Sequence, residues 1–319
     1  MADKLNLDKA RWAQNNEFYT DYDDICAELD LYDLQGRVVF LPCDDPEWSA
    51  FAKYFVDKFE YHKLRGLICS CYYETQADLF EPFEFKRGYW CEYDGKVWSA
   101  KNYYERGNGD FRAYEVQKLR ARADVIITNP PFSLFREFFD WCLGKDYVLI
   151  GSAHAVKYMT VFPEIQQCRC RYYKPKRLLF TTDKGAKCKI NAGWYSNISP
   201  RPYPPFLKLT YDLNPAMHKR YANFDAVDCE SYKHVPRRYY GIVGVPGTFL
   251  DHWNPVQFEL LGIPSGHRGT ALGVSQNPRT GKHDLFFRNT DGSITDIFTR
   301  VLIRRKQILC RLDTHENVV

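Results

Sequence analysis

The 319-residue chain is 45% hydrophobic and 26% charged, with a net charge of only +4, the make-up of an ordinary globular protein with a sizeable core in one large domain or two modest ones. No apolar run approaches a membrane span, and the opening MADKLNLDKARWAQNN is too charged for a secretory signal. The expectation is a cytoplasmic protein whose 11 cysteines are mostly reduced thiols.

In chain order, RVVFL (37–41) is the first short apolar run and reads as a strand. DDPEWSAFAKYFVDKF follows, with Phe51, Tyr54, Phe55 and Phe59 at helical spacing. Asp45 before Pro46 has the chemistry of an N-cap with proline at the first helical position. LRGLICSCY is a second strand, YEVQKLRARA a helix, ADVIITN a third strand, SLFREFFDWCLGK a helix and DYVLIGSA a fourth strand. This alternation predicts an α/β fold with an open, mostly parallel central sheet. Such sheets bind ligands beyond the carboxyl ends of their strands, where Asp44, Asn129 and Ser152 fall. The second half is less regular. NAGWYSNI, FDAVD, YYGIVGVPGTFL and FELLGI read as short strands among proline-rich loops, and 262–281 as a long loop. ITDIFTRVLIRRKQI closes the chain as one strand with a basic end.

The cysteines carry no C-x-x-C; the close pairs are Cys69/Cys71 and Cys168/Cys170, without zinc-ligand spacing. Buried thiols are the expectation there, and no metal. Charge is unevenly spread. Residues 17–60 hold 12 acidic and 3 basic side chains, whereas 165–240 hold 15 basic and 5 acidic. A basic half with interleaved aromatics suits a polyanion such as nucleic acid, but lysines also simply solvate surfaces. Charge alone leaves both open.

The run ADVIITNPPFSLF decides more. Four buried-type residues end abruptly at Asn129, Pro130, Pro131 and Phe132. As a plain loop this is an ordinary strand stop. As chemistry it is the signature of enzymes that methylate an exocyclic amine of a nucleobase. Such an amine is a poor nucleophile because its lone pair is delocalised into the ring. The Asn129 side-chain oxygen and the Pro130 carbonyl, aimed at its two N–H groups, would favour a tetrahedral nitrogen with its lone pair free. Pro131 stiffens the loop, and Phe132 would stack on a base turned out of the duplex. The methyl donor would be S-adenosylmethionine, with positioning as the protein's main contribution.

Together with TNPPFSLFRE, the segments NNEFYT, CDDPEWSAFAKYF, GNGDFR and GVPGTFLDHWNPVQFELLG resemble the EcoRI-type adenine-specific DNA methyltransferases, in one order over about 15–305. The resemblance implies a Rossmann-like class I methyltransferase core and transfer to adenine N6 in double-stranded DNA. By that likeness Phe18, Tyr19 and Thr20 flank the methionine end of the cofactor; simple packing is the alternative for the aromatic pair. In GDFR, Asp110 would accept from the cofactor's adenine amine and Phe111 would pack on its ring, although Gly-Asp alone is turn chemistry. The chain departs from the family pattern in having PCDDP, without glycine, after the first strand. Asp44 and Asp45 there would bind the cofactor, or Asp45 would only cap the helix. Glu74 is the nearest acid to the second strand for the ribose hydroxyls.

Motif order divides the chain into a cofactor-binding and catalytic core, 1–160, and a target-recognition region, 161–319, with strands returning to the core. Arg169, Arg171, Lys174, Lys176, Arg177, Lys184, Lys187 and Lys189 would contact DNA, mostly its phosphates. The same catalytic loop would also serve adenine in RNA or cytosine N4 in DNA, and a non-catalytic nucleic-acid binder on this fold is the reading from another class. The expected partner is double-stranded DNA. A restriction endonuclease reading the same site, if present, would act without a stable complex, the methyltransferase being a monomer.

Overall fold

The described chain begins with strand β1 (Tyr19–Thr20), after which Asp21 accepts from the Asp23 amide to cap helix α1 (Tyr22–Leu29). The computed structural model describes residues 19–73, 87–105, 108–182 and 186–307. Two compact units result, Met1–Arg201 and Pro202–Val319.

In the first unit, β2 (Val38–Leu41) leads to α2 (Ala50–Asp57), then β3 (Gly66–Cys71), β4 (Tyr89–Tyr93) and β5 (Asn102–Tyr103). Helix α3 (Tyr114–Arg122) precedes β6 (Val125–Thr128), and α4 (Phe135–Cys142) precedes β7 (Asp146–Ser152). After α5 (Val161–Gln166) come β8 (Arg171–Tyr173), β9 (Leu179–Thr181), β10 (Lys187–Lys189) and β11 (Ala192–Ser196). Eight of these strands form one mixed sheet in the order β5-β4-β3-β2-β6-β7-β11-β8. Its four central strands β3, β2, β6 and β7 run parallel, and antiparallel strands flank them on both sides.

Alternation along the central strands divides the core. Val39, Leu41, Val125, Ile127, Val148 and Ile150 pack with Ile25, Leu29, Phe51 and Phe55 of α1 and α2. Phe40 points the other way, to Trp141 of α4 at 6.4 Å. Helix α4 buries Phe135, Phe138, Phe139 and Cys142, spaced as one helical face. Gly151 of β7 permits this packing, because a Cβ there would stand 2.2 Å from the Phe135 ring.

The expected cap of α2 is displaced. Ser49, not Asp45, is the N-cap; its Oγ accepts from the amides of Phe51 and Ala52 at 3.1 and 3.3 Å. Asp45 instead accepts from the Glu47 amide at 2.8 Å, forming the turn before the helix.

In the second unit, β12 (Val227–Asp228), β13 (Ile242–Pro246) and β14 (Phe258–Gly262) precede a short helix α6 (His267–Ala271) within the segment expected to be a plain loop. The closing apolar run is two strands rather than one. After β15 (Phe286–Arg288), β16 (Ile294–Asp296) pairs back on β15, and β17 (Arg300–Arg305) lies between β13 and β14. Two different pairing partners split the run, and Phe298 between them is 91% exposed.

Candidate active site

Strand β6 is buried along its whole length, so the four residues that leave its carboxyl end start from a rigid base. The Asn129 Oδ1 atom is buried, Pro130 is buried, and Pro131 and Phe132 are half-buried. Amides of Leu134 and Phe135 return to the carbonyls of Pro131 and Phe132 at 3.0 and 3.4 Å, turning the loop directly into α4. The Phe132 ring meets Phe180 of β9 edge-on, centroids 6.2 Å apart.

Thr128, the residue before Asn129, donates its hydroxyl to Asp44 Oδ2 at 2.6 Å. The other oxygen of that carboxylate accepts from Ser49 Oγ, also at 2.6 Å. The Asp44 amide reaches the Ser70 carbonyl of β3 at 3.1 Å. One aspartate thus joins the β2 loop, the ends of β3 and β6, and the start of α2.

Asp45 is enclosed. Its Oδ1 accepts from the Tyr89 hydroxyl at 2.9 Å as well as the Glu47 amide, and its Oδ2 from the Tyr73 hydroxyl at 3.0 Å. Burial, followed by the Asp45 carboxylate, raises the pKa of both phenols, so both remain donors.

Asp110 sits on a turn docked against the end of β3. Tyr73 donates its amide to the Asn108 carbonyl at 2.9 Å, and Gly109 has φ of +88°. A Cβ on Gly109 would lie 2.2 Å from the Cys71 carbonyl oxygen, so only glycine fits. The Asp110 carboxylate accepts from the amide, Nε and Nη2 of Arg112 at 2.8, 2.9 and 2.7 Å. Those bonds hold its pKa below the usual carboxylate value. Phe111 faces inward, 5.1 Å from Phe138 and 5.7 Å from Trp141 between ring centroids.

From the NNEFYT segment, Tyr19 and Thr20 lie within the described residues, whereas Phe18, Glu74 and Lys184 lie outside them. Tyr19 contacts Trp48 of the β2 loop at 4.8 Å, edge to face. Thr20 is the register partner of Phe180, which ties β1 to the strand that supports Phe132. Among the described residues nothing hydrogen-bonds the buried Thr20 Oγ1.

The basic residues divide by partner. Arg177 and Lys187 reach Asp21 at 3.4 and 2.7 Å, and Arg177 also reaches Asp24 at 3.5 Å. Arg169 pairs with Glu164 at 2.6 Å, Lys174 donates to Asn191 Oδ1 at 2.7 Å, and Lys189 to the Lys176 carbonyl at 3.0 Å. Arg171 is half-buried on β8, and the Lys176 side chain is exposed. All of them belong to the first unit.

The structure therefore gathers Tyr19, Thr20, Asp44, Asp45, Asp110 and Asn129 through contacts at the carboxyl ends of the parallel strands and the segments docked there. Sequence reading missed Ser49, Thr128, Tyr73, Tyr89 and Phe180 in this cluster. Only Ser49 carries a local signal, a serine directly before an apolar helical run. A cavity of about 370 Å³ lined by Val38, Arg65, Gly66 and Glu92 lies at the opposite, amino ends of β2 and β3. No three His, Cys, Asp or Glu side chains among the described residues come together as a metal site.

The family model described as adenine-specific methyltransferase EcoRI matches residues 6–306. The Type II methyltransferase M.EcoRI of Escherichia coli is 32% identical, over 82% of this chain and 89% of its own. The Type II methyltransferase M.MpnI of Mycoplasma pneumoniae is 30% identical, over 94% of this chain and 98% of its own. M.MgeORF184P of Mycoplasma genitalium, also a Type II methyltransferase, is 30% identical over 95% and 99%. No solved structure matches. With a strand-end Asn-Pro-Pro-Phe loop and a family match along nearly its whole length, the chain belongs to the EcoRI family of adenine-specific methyltransferases.

Proposed function

We propose that the protein is a site-specific DNA methyltransferase that moves a methyl group from S-adenosylmethionine to N6 of an adenine turned out of double-stranded DNA. The carrying observation is the Asn129–Phe132 loop, which leaves a fully buried strand and is braced through Thr128 against the β2 loop. The first unit is read as the class I methyltransferase core.

The residues fit the cofactor. The buried Thr20 Oγ1 has no bonding partner among the described residues and offers a polar contact to its methionine end. Tyr19 walls that end against Trp48, and the glycine-requiring turn presents Asp110 beside the end of β3 for the adenine amine. Phe111 supports that turn from the core. Asp44 and Asp45 shape the loop between these contacts. When bound, S-adenosylmethionine supplies a methyl group on a positively charged sulfur.

Asn129 Oδ1 and the Pro130 carbonyl accept from the two N–H groups of the target amine and keep its lone pair directed at the donor. The nitrogen gains the methyl and passes one proton to solvent, since a carboxamide is too weak a base to keep it. Phe132, braced by Phe180, stacks on the base. The exposed basic side chains of 169–189, with Lys176 foremost, contact phosphates, and the enzyme acts as a monomer without a stable nuclease complex.

Asn129→Ala is the test. Loss of one preorganised acceptor is expected to slow tritiated methyl transfer to DNA on the order of a hundredfold or more, with cofactor binding largely kept. Near-normal turnover would refute the assignment, and transfer to RNA in preference to DNA would redirect it.

A further inference from the structure

We infer that Thr128 is a positioning residue and Asp44 its anchor: a buried hydroxyl–carboxylate–hydroxyl strut that sets the Asn129 acceptor against the β2 loop. The inference rests on the reading of Asn129 as the acceptor for the target amine.

Thr128 is 0% exposed, Asp44 6% and Ser49 5%. A carboxylate placed this deep costs free energy unless hydrogen-bonded donors meet it. Here each oxygen has a hydroxyl at 2.6 Å, one from the end of β6 and one from the cap of α2. If stability were the only demand, apolar side chains of similar size would serve as well, since replacing buried ionic groups that way is often neutral or stabilising. What apolar packing does not supply is a fixed direction. A short charge-assisted bond is directional and pins the strand end one residue before Asn129.

Asp44 is also held from its own backbone. Its amide bonds to the Ser70 carbonyl of β3, so the carboxylate cannot drift without moving two parallel strands. Ser49 serves Asp44 and the first amides of α2 at once, which fixes the other side of the strut. The β2 loop, the end of β3 and the catalytic loop consequently share one reference point. Displacement of Asn129 by a fraction of an ångström would misdirect its oxygen while leaving every cofactor contact in place.

The test is Thr128→Val, which keeps the shape and removes the donor, with Thr128→Ser as the conservative partner. Single-turnover methyl transfer at saturating S-adenosylmethionine and DNA gives the rate; calorimetry gives both affinities and the folded fraction. Thr128→Val is expected to transfer roughly ten- to a hundredfold more slowly at affinities within about threefold of the parent, and Thr128→Ser to recover most of the rate. A parental rate for Thr128→Val overturns the strut. So does a defect that vanishes at saturating cofactor, which would place Asp44 on the cofactor instead. A Thr128→Val protein that does not fold, beside a fully active Thr128→Ser, also overturns it, because the hydroxyl then serves stability alone. Asn129→Ala in the same assay separates the two layers: an inactive Asn129→Ala with a fully active Thr128→Val sinks only the strut, whereas a fully active Asn129→Ala sinks the reading beneath it.

Discussion

Replacing Asp45 by alanine distinguishes the cofactor ligand expected from the sequence from the structural anchor seen in the fold. The side chain is 1% exposed and accepts three hydrogen bonds, from Tyr89, Tyr73 and the Glu47 amide. Truncation strands those donors unequally. Tyr89 is buried, so its orphaned hydroxyl costs about 1–3 kcal/mol. Tyr73 is half-buried and Glu47 exposed, so both donors can turn to water and each loses only about 0.5–1 kcal/mol. Removing a buried carboxylate returns part of its desolvation cost. The expected net destabilisation is about 2–4 kcal/mol, consistent with other losses of a buried polar network. Asp45→Asn, which retains one acceptor, should lose less than half of that. Urea unfolding followed by tryptophan fluorescence reads the change as a lower midpoint at unchanged slope. Calorimetric titration of the folded variant with S-adenosylmethionine reads the other role. An unaltered urea midpoint together with lost cofactor affinity would refute the anchoring argument and return Asp45 to the cofactor.

Gly109→Ala should weaken S-adenosylmethionine binding by roughly five- to a hundredfold, because a left-handed residue costs on the order of 1–3 kcal/mol and its Cβ meets the Cys71 carbonyl; parental affinity by calorimetry would reduce the Asp110 turn to scaffolding. Replacing Lys174, Lys176 and Arg177 together by alanine should flatten the dependence of log K on log salt by about 0.9 for each phosphate no longer neutralised, alike for any DNA sequence. Within that set Lys176→Ala should flatten it more than Arg177→Ala, whose guanidinium is already paired with Asp21 and Asp24; an unchanged slope in salt-titrated anisotropy for all three would return the stretch to solvent.

The four central strands and the helices α2, α3 and α4 were legible because their signals are local. Apolar runs bounded by proline, and Phe51, Tyr54 and Phe55 at helical spacing, report burial without knowledge of any partner. Of the strands beyond them, β11 is legible in NAGWYSNI, whereas β8, β9 and β10 are not, for the same reason. β8, β9 and β10 are three residues each, with half-exposed or exposed ends, and are strands only because β11 and β1 lie beside them. The site followed the same division. Asn129 announces itself by the prolines after it, whereas Thr128 and Asp44 are 84 positions apart and nothing near either names the other.

Charge shows the limit most sharply. On the sequence, the acidic surplus of 17–60 stands apart from the basic surplus of 165–240, which reads either as a polyanion-binding surface or as plain solvation. In the fold the two partly meet, as Asp21 and Asp24 take up Arg177 and Lys187 and fasten the β9–β10 hairpin to α1. The Leu179 amide adds to the clamp by donating to Asp24 at 2.7 Å. Phe180 stands on that hairpin and meets Phe132, so part of the basic stretch fastens the support of the Asn129–Phe132 loop. Arg177 and Lys187 are themselves exposed, but the Asp21 and Asp24 carboxylates they meet are only 10% and 9% exposed, so drawing these cations away would leave two nearly buried carboxylates less compensated. On the proposed function, the charge left for DNA is what internal pairing leaves over. Within 169–189 it leaves Lys176 exposed, a distribution set by the fold, which no count of lysines and arginines along the chain contains.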